Sequence, residues 1–215
     1  MPRRLAAEFF GTFGLLLAVV GSGIWATRWS HDVGVQVLIN DLSIALALGV
    51  LIWLMSPLSG AHFNPLVTAT ALWRREIGWL EATGYALAQF AGAIAGAVFA
   101  NLMFDLPAAQ LATAQRASLG SFLSEIFATA ALIALVIALG SRGLGRLAPV
   151  VIGAWIASAI FFTSSTSFAN PAVTVARIFT DTLTGINPNS AVVFIAGQLI
   201  GVPLGWMAGR FFSKG

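Results

Sequence analysis

Cysteine is absent from the chain, which excludes disulfides, thiolate nucleophiles and cysteine-based metal sites. Charge is scarce as well. Asp, Glu, Lys and Arg make up 9% of the 215 residues, against about 25% in an ordinary soluble domain. That is too little charge to cover a soluble globule, and with 58% hydrophobic residues lipid is the natural solvent. There is no Lys/Arg run, and the formal charge of +3 comes from scattered arginines, so no footprint for nucleic acid is present. Histidine is limited to His31 and His62. No nucleophile has a base at recognisable spacing and no zinc motif exists, so neither a catalytic site, a metal nor a cofactor is expected.

What is present is a series of long apolar runs. A spanning helix needs about 20 mostly apolar residues. Six segments qualify: Leu5–Thr27, Val35–Ser56, Tyr85–Met103, Phe122–Gly140, Pro149–Thr163 and Ala191–Phe212. The fifth is short, with room to extend to Ser165. The first follows the basic Met1–Arg4 and is longer than the apolar core of a signal peptide. Even parity puts both termini on one side of the membrane. That side receives Arg3, Arg4, Arg74, Arg75, Arg142, Arg146, Arg210 and Lys214, and the other only Arg28, Arg116 and Arg177. The positive-inside rule makes the first side cytoplasmic, which predicts a multi-pass protein of the cell (inner or plasma) membrane. Trp29, Trp73, Trp79 and Trp206 fall near span ends, as interfacial belts or as ordinary packing.

Two apolar segments, Ser59–Arg74 and Ser165–Asp181, are too short to cross, and each contains Asn-Pro. Such interrupted segments in corresponding places are the best sequence pointer to a pore or binding site. An internal repeat places them. Glu8 and Thr12 recur as Glu125 and Thr129; Phe63-Asn64-Pro65-Leu66-Val67-Thr68 recurs as Ala169-Asn170-Pro171-Ala172-Val173-Thr174; Gln89, Gly92 and Gly96 recur as Gln198, Gly201 and Gly205. The repeats cover about 1–110 and 115–215 of a single 1–215 domain. With three spans each, the second must enter the membrane inverted, so the Asn-Pro segments dip in from opposite faces and meet at the midplane.

Proline suits the first position of a helix and asparagine caps it. Each segment is therefore predicted as a half-helix beginning at Pro65 or Pro171, its positive dipole end at the membrane centre. Asn64 and Asn170 can offer N–H donors to a passing oxygen. Gly60–Phe63 and Thr166–Ala169 are predicted as extended, with carbonyls, those of Gly60, Ala61, His62, Thr166 and Phe168 among them, lining a wet path because they cannot face lipid. Glu8 and Glu125 are intramembrane acids, which are expensive and usually functional. They can serve as a proton relay or hold the loop of their own half by accepting backbone N–H bonds; the symmetry favours loop support. Gly92/Gly96 and Gly201/Gly205 are small-residue patterns for close helix crossing.

Ala7-Glu8-Phe9-Phe10-Gly11-Thr12, Ser59-Gly60-Ala61-His62-Phe63-Asn64-Pro65 and Ser167-Phe168-Ala169-Asn170-Pro171-Ala172 resemble the aquaporin, or major intrinsic protein, family over nearly the whole chain. The resemblance implies an all-α membrane protein of six transmembrane helices plus two re-entrant half-helices, assembled as a homotetramer with one pore per subunit. It puts Pro65, Leu66, Pro171 and Ala172 at the pore midplane with the two asparagines. Leu66 stands where the family usually has Ala. Val173 stands where most members have the filter Arg, and Thr174 where glycerol facilitators have Asp. Ungapped spacing from the asparagines puts the other filter positions at Ile44, Ser158 and Ser167. A filter of Ile, Ser, Ser and Val lacks a fixed cation and is expected to be wide. Arg177, one turn beyond Val173, is a candidate for the outer vestibule with Asp41 nearby; the alternative is a pairing of Arg177 with Asp181. The Ser-Thr-Ser-Phe-Ala-Asn-Pro-Ala-Val stretch is similar to that of a bacterial subgroup associated with arsenic resistance, which implies neutral metalloid hydroxides or methylated arsenicals as permeants. The function expected is passive passage of water and small uncharged solutes. A strict water channel, a proton-coupled transporter and a member closed by Leu66, Ile44 and Val173 are the alternatives.

Overall fold

The computed structural model describes residues 1–213; Lys214 lies outside the described residues. Among the described residues eight α-helices form: α1 (Pro2–Trp29), α2 (Val33–Ser59), α3 (Pro65–Trp73), α4 (Trp79–Met103), α5 (Leu119–Ser141), α6 (Ala148–Phe162), α7 (Pro171–Ala176) and α8 (Pro188–Phe212). Single 3₁₀ turns precede α6 (Gly145–Leu147) and continue α7 (Arg177–Phe179). Six helices are long and apolar enough to cross a membrane. The predicted spans extend by a few residues at most ends, because caps outside the apolar runs define the boundaries. Asp32 caps α2 by accepting from Val35 N, and Asn187 caps α8 by accepting from Ser190 N. Ser118 and Ser121 cap α5 reciprocally. The fifth span stops at Phe162, where Thr163 turns extended, and does not reach Ser165.

Glycine decides which long helices pair closely. α1 packs on α4 and α5 on α8. A Cβ at Gly92 would overlap the Phe9 carbonyl oxygen, and one at Gly96 that of Phe13. Across the other pair, Gly201 and Gly205 meet the Ile126 and Ala130 carbonyls in the same way. Backbones this close leave no room for a side chain, and the obstacle is backbone that cannot rotate away. Gly92→Leu and Gly201→Leu should each lower stability by about 3 kcal/mol or more, read as an earlier thermal unfolding transition in detergent; an unchanged transition would mean that these crossings can open freely.

α2 and α6 pack along a second seam, where Gly49 meets Pro149 and Gly153 meets the Ala45 carbonyl. The outward faces of the bundle carry large exposed apolar residues such as Leu42, Leu46, Val50 and Trp53, as a lipid-facing surface requires. Trp29, Trp73 and Trp79 are exposed at helix ends, and Trp73 lies flat on Trp206 with ring centroids 4.9 Å apart.

The two half-helices meet end to end. Asn64 caps α3 and Asn170 caps α7, each side-chain oxygen accepting from the backbone N–H two residues on. The amide nitrogens then cross over: Asn64 Nδ2 donates to Ala169 O and Asn170 Nδ2 to Phe63 O, both at 2.8 Å. The segments before them are not simply extended. Ala61, Phe63, Thr166, Ser167 and Ala169 all have positive φ, between 46° and 59°, which costs a non-glycine residue about 1–2 kcal/mol. Such strain persists only where surrounding bonds over-determine it.

A lumen between two half-helices

Glu8 and Glu125 supply those bonds. Glu8 accepts from His62 N (3.0 Å), Phe63 N (2.7 Å), Ser59 Oγ (2.6 Å) and Gln89 Nε2 (2.7 Å). Glu125 accepts from Phe168 N (2.9 Å), Ala169 N (2.9 Å), Ser165 Oγ (2.6 Å) and Gln198 Nε2 (2.6 Å). Each carboxylate therefore faces only donors, and both residues are fully buried. Gln89 and Gln198 each also donate to a threonine of the adjoining half-helix, Thr68 and Thr174. Neither carboxylate lines the central cavity. A proton relay along the lumen is thus not what these groups are placed for.

That cavity, about 630 Å³, runs from Arg116, Leu183 and Thr184 at one mouth to Arg74, Glu76 and Gly145 at the other. One wall is Gly60–Asn64 followed, from the opposite direction, by Thr166–Asn170. Among the described residues, no protein donor reaches the carbonyl oxygens of Gly60, Ala61, His62, Thr166, Ser167 or Phe168. These are acceptors left for whatever enters. Each asparagine amide spends one N–H on the opposite loop and has a second N–H, so two donors sit where the acceptor rows meet. The facing wall is apolar: Ile44, Leu48 and Ile52 of α2, Leu132 of α5, Ile156 and Ile160 of α6. His62 lines the cavity with Nδ1 3.1 Å from Thr68 Oγ1.

The structure rearranges several sequence-derived assignments. Ile44, Ser167 and Val173 line the cavity. Ser158 does not: it is exposed on the outside of α6, its hydroxyl turned back to Ala154 O. The lumen positions of α6 are Ala148, Ile152, Ile156 and Ile160. Ungapped counting from Asn170 presumed a fixed length of chain after α6, and an error of two residues rotates a helical position by about 200°. Ser158→Ala should therefore change water and glycerol flux less than about twofold, whereas Ile160→Ala should raise glycerol flux; a large Ser158→Ala effect in vesicle assays would restore the original register.

Leu66 is also absent from the lumen. It packs with Val67, Ile133 and Ile137 behind the half-helix junction, so it does not narrow the midplane. Pro65, Pro171 and Ala172 likewise lie behind the wall, while Val67 and Val173 face in. Asp41 does not join the vestibule. Asn40, Ile44, Leu48 and Ile52 form the lumen-facing row of α2. Asp41 belongs to the next row, with Ala45 and Gly49, which packs on α6; it is buried, and its Oδ1 has no partner among the described residues. Arg177 does line the cavity. Its Nε donates to Thr184 O, and its guanidinium lies 3.4 Å from the Phe168 ring centroid. It is not paired with Asp181, whose Oδ1 accepts from Thr113 N and Oγ1.

Arg116 was not singled out by its sequence context, yet it lines the same mouth. The hydroxyls of Ser59 and Ser165 and the acceptors Thr68 and Thr174 were missed as well. A signal existed for these four: each pair stands at the same offset from its asparagine in both repeats. Arg116 has no counterpart in the first repeat, so no such signal exists for it.

Comparison with known proteins agrees with this architecture. Residues 1–207 match the model of the family described as major intrinsic protein. The chain is 41% identical over 201 residues to the aquaglyceroporin AqpS of Rhizobium meliloti (strain 1021), covering 94% of this chain and 86% of that one. It is 32% identical over 165 residues to a probable glycerol uptake facilitator protein of Thermotoga maritima, covering 68% and 69%. The X-ray structure of the aquaglyceroporin from Plasmodium falciparum superposes with a TM-score of 0.74 at 23% identity, over 99% of this chain and 96% of that one, which shows the shared fold. A lumen walled by two loops that meet at paired Asn-Pro half-helices, with a family match over nearly the whole length, makes this chain a member of the major intrinsic protein family and a membrane channel for water and small solutes.

Proposed function

We propose that this channel passes uncharged solutes larger than water, of glycerol size and including neutral metalloid hydroxides, as well as water itself. The observation that carries this is the lining: Ile44, Ile156, Ile160 and Ser167 line the lumen together with Val173, and position 173 itself contributes no guanidinium. Carbonyls along one wall replace part of a solute's hydration, and the apolar wall opposite accepts its carbon face. The Rhizobium relative is an aquaglyceroporin, which supports the same class. Asn64 and Asn170 act as the central donors; Arg177 supplies, one turn further out, the fixed positive charge that Val173 does not.

In this reading the chain is one domain of two inverted halves. The Arg74 mouth and both termini are cytoplasmic, and the Arg116 mouth is outside. The exposed apolar faces of α2 and α6 meet lipid or neighbouring subunits of a homotetramer. The test is stopped-flow light scattering of proteoliposomes under water, glycerol and neutral arsenite gradients. Glycerol and arsenite entry well above that of empty vesicles is expected. Passage of water alone would mean that Ile44, Ile156 and Ile160 close the path to anything larger.

A further inference from the structure

Arg177 is a buried cation with no ion pair among the described residues: the Glu125 carboxylate lies near enough to act on it but is taken up by four donors of its own loop and makes no bond to it. Its residue is 6% exposed. Nε is engaged by the Thr184 carbonyl and one face by the Phe168 ring, but both partners are neutral. The terminal nitrogens donate to no protein acceptor among the described residues. A second cation shares this mouth. Arg116 lies with its guanidinium carbon 5.9 Å from the centroid of that same ring and lines the same mouth. Its Nε and Nη2 go to the carbonyls of Gly185 and Leu183, again neutral, and Nη1 is left over. The lumen-lining residues include one carboxylate, Glu76, at the opposite mouth beside Arg74. Asp181 is held by Thr113, and Asp41 bonds to neither arginine. Both ion pairs among the described residues, Arg4–Glu81 and Arg74–Glu76, lie elsewhere.

Burying a charge that is not directly paired is unfavourable, and two like charges sharing one mouth add to it. Carbonyls and an aromatic face soften that cost but cannot cancel net charge. We propose that the outer mouth is a binding site for a small monovalent anion, held between the free N–H groups of Arg177 and Arg116. Halide and carboxylate share the required chemistry. A carboxylate fits better, because a guanidinium presents parallel donors to two oxygens. The anion does not follow the solute through, since the next stretch of lumen is Ile44, Ile156, Ile160 and Val173 with the single hydroxyl of Ser167, too few donors to replace its hydration. It instead occupies the mouth and slows neutral solutes. That last consequence rests on the proposed conducting path; the site itself does not.

The experiment uses crystals of the purified full chain grown with bromide, and anomalous scattering to locate it. A bromide peak between the two guanidiniums is expected, displaced by formate at lower concentration than by chloride. Occupancy should fall about tenfold in Arg177→Gln and in Arg116→Gln, each losing a charge-assisted bond, and stay unchanged in Arg142→Gln on the other side of the membrane. No peak in the wild type, or a peak that survives both Gln variants, overturns the proposal. Should a Gln variant fail to fold, Arg177→Lys and Arg116→Lys keep the charge but lose the fork. Bromide then stays while formate loses its advantage over chloride, and an undiminished advantage counts against the site. In proteoliposomes, external formate should slow glycerol entry through the wild type and not through Arg177→Gln. If no solute moves at all, conduction fails as a reading while the bromide peak still decides the site.

Discussion

Val173→Arg should reduce glycerol flux about tenfold or more while water flux falls less than about threefold, a tenfold change corresponding to about 1.4 kcal/mol in the barrier. Val173 is on the lumen-facing side of α7, opposite the isoleucines of α2 and α6. An arginine there would reach across the path and convert an apolar ring into one crossed by a planar donor fork. The substitution has acceptors to use, because the Thr166, Ser167 and Phe168 carbonyls have no protein donor among the described residues. A new cation beside Arg177 and Arg116 also raises the positive potential at that mouth, which costs some stability but does not hinder neutral water. Proteoliposome flux ratios, glycerol over water, read the effect directly. A ratio unchanged from the wild type would place the limiting constriction elsewhere in the lumen, and the open-filter reading would then be wrong.

Glu125→Ala should cost about 4 kcal/mol or more, enough to abolish a folded channel or bring its unfolding transition near ambient temperature. The carboxylate accepts from Phe168 N, Ala169 N, Ser165 Oγ and Gln198 Nε2, and each buried donor left without an acceptor costs about 1–3 kcal/mol. The loop it holds includes Thr166, Ser167 and Ala169 at positive φ, a conformation that relaxes once the anchor is gone. Glu125→Gln should lie between alanine and wild type. It retains one acceptor oxygen and turns an NH₂ group toward donors. Glu8→Ala should be comparable, because Glu8 makes the equivalent set of bonds to its own loop. Thermal unfolding in detergent by circular dichroism is the measurement. A Glu125→Ala transition within a few degrees of wild type would mean that the loop is held by other contacts.

The fold was largely legible before any coordinates, for a physical reason. In lipid every backbone polar group must be satisfied within the chain, so a long apolar run has few options other than a spanning helix. A short apolar segment with Asn-Pro then becomes a half-helix with a defined start. The internal repeat carried the rest: the spacing of Glu, Asn-Pro and Gln-Gly-Gly was enough to pair Glu8 with one loop and Glu125 with the other. Gly92, Gly96, Gly201 and Gly205 announced close crossings by size alone.

The lumen was less legible. Whether a helical residue faces a path or lipid turns on rotation, and rotation turns on loop length and packing partners that spacing does not reveal. Ser158 and Ile160 differ by two positions and by nearly opposite sides of α6. Asp41 and Asn40 are adjacent, yet only Asn40 reaches the lumen, where its amide is fixed by Val19 O and Ser22 Oγ of α1. Leu66 reads as an obstruction until α5 is seen to receive it. Arg116 is 61 residues from Arg177 in the chain, and only the docking of its loop onto the Leu183 and Gly185 carbonyls brings the two cations to one mouth. Composition, periodicity and repetition by themselves determined a membrane channel with two half-helices and their anchors, because those follow from local chemistry and from the solvent the chain must face. Which side chains meet the passing solute was decided only by tertiary structure, since a turn of about 100° per residue lets one residue of register exchange a lumen wall for a buried seam.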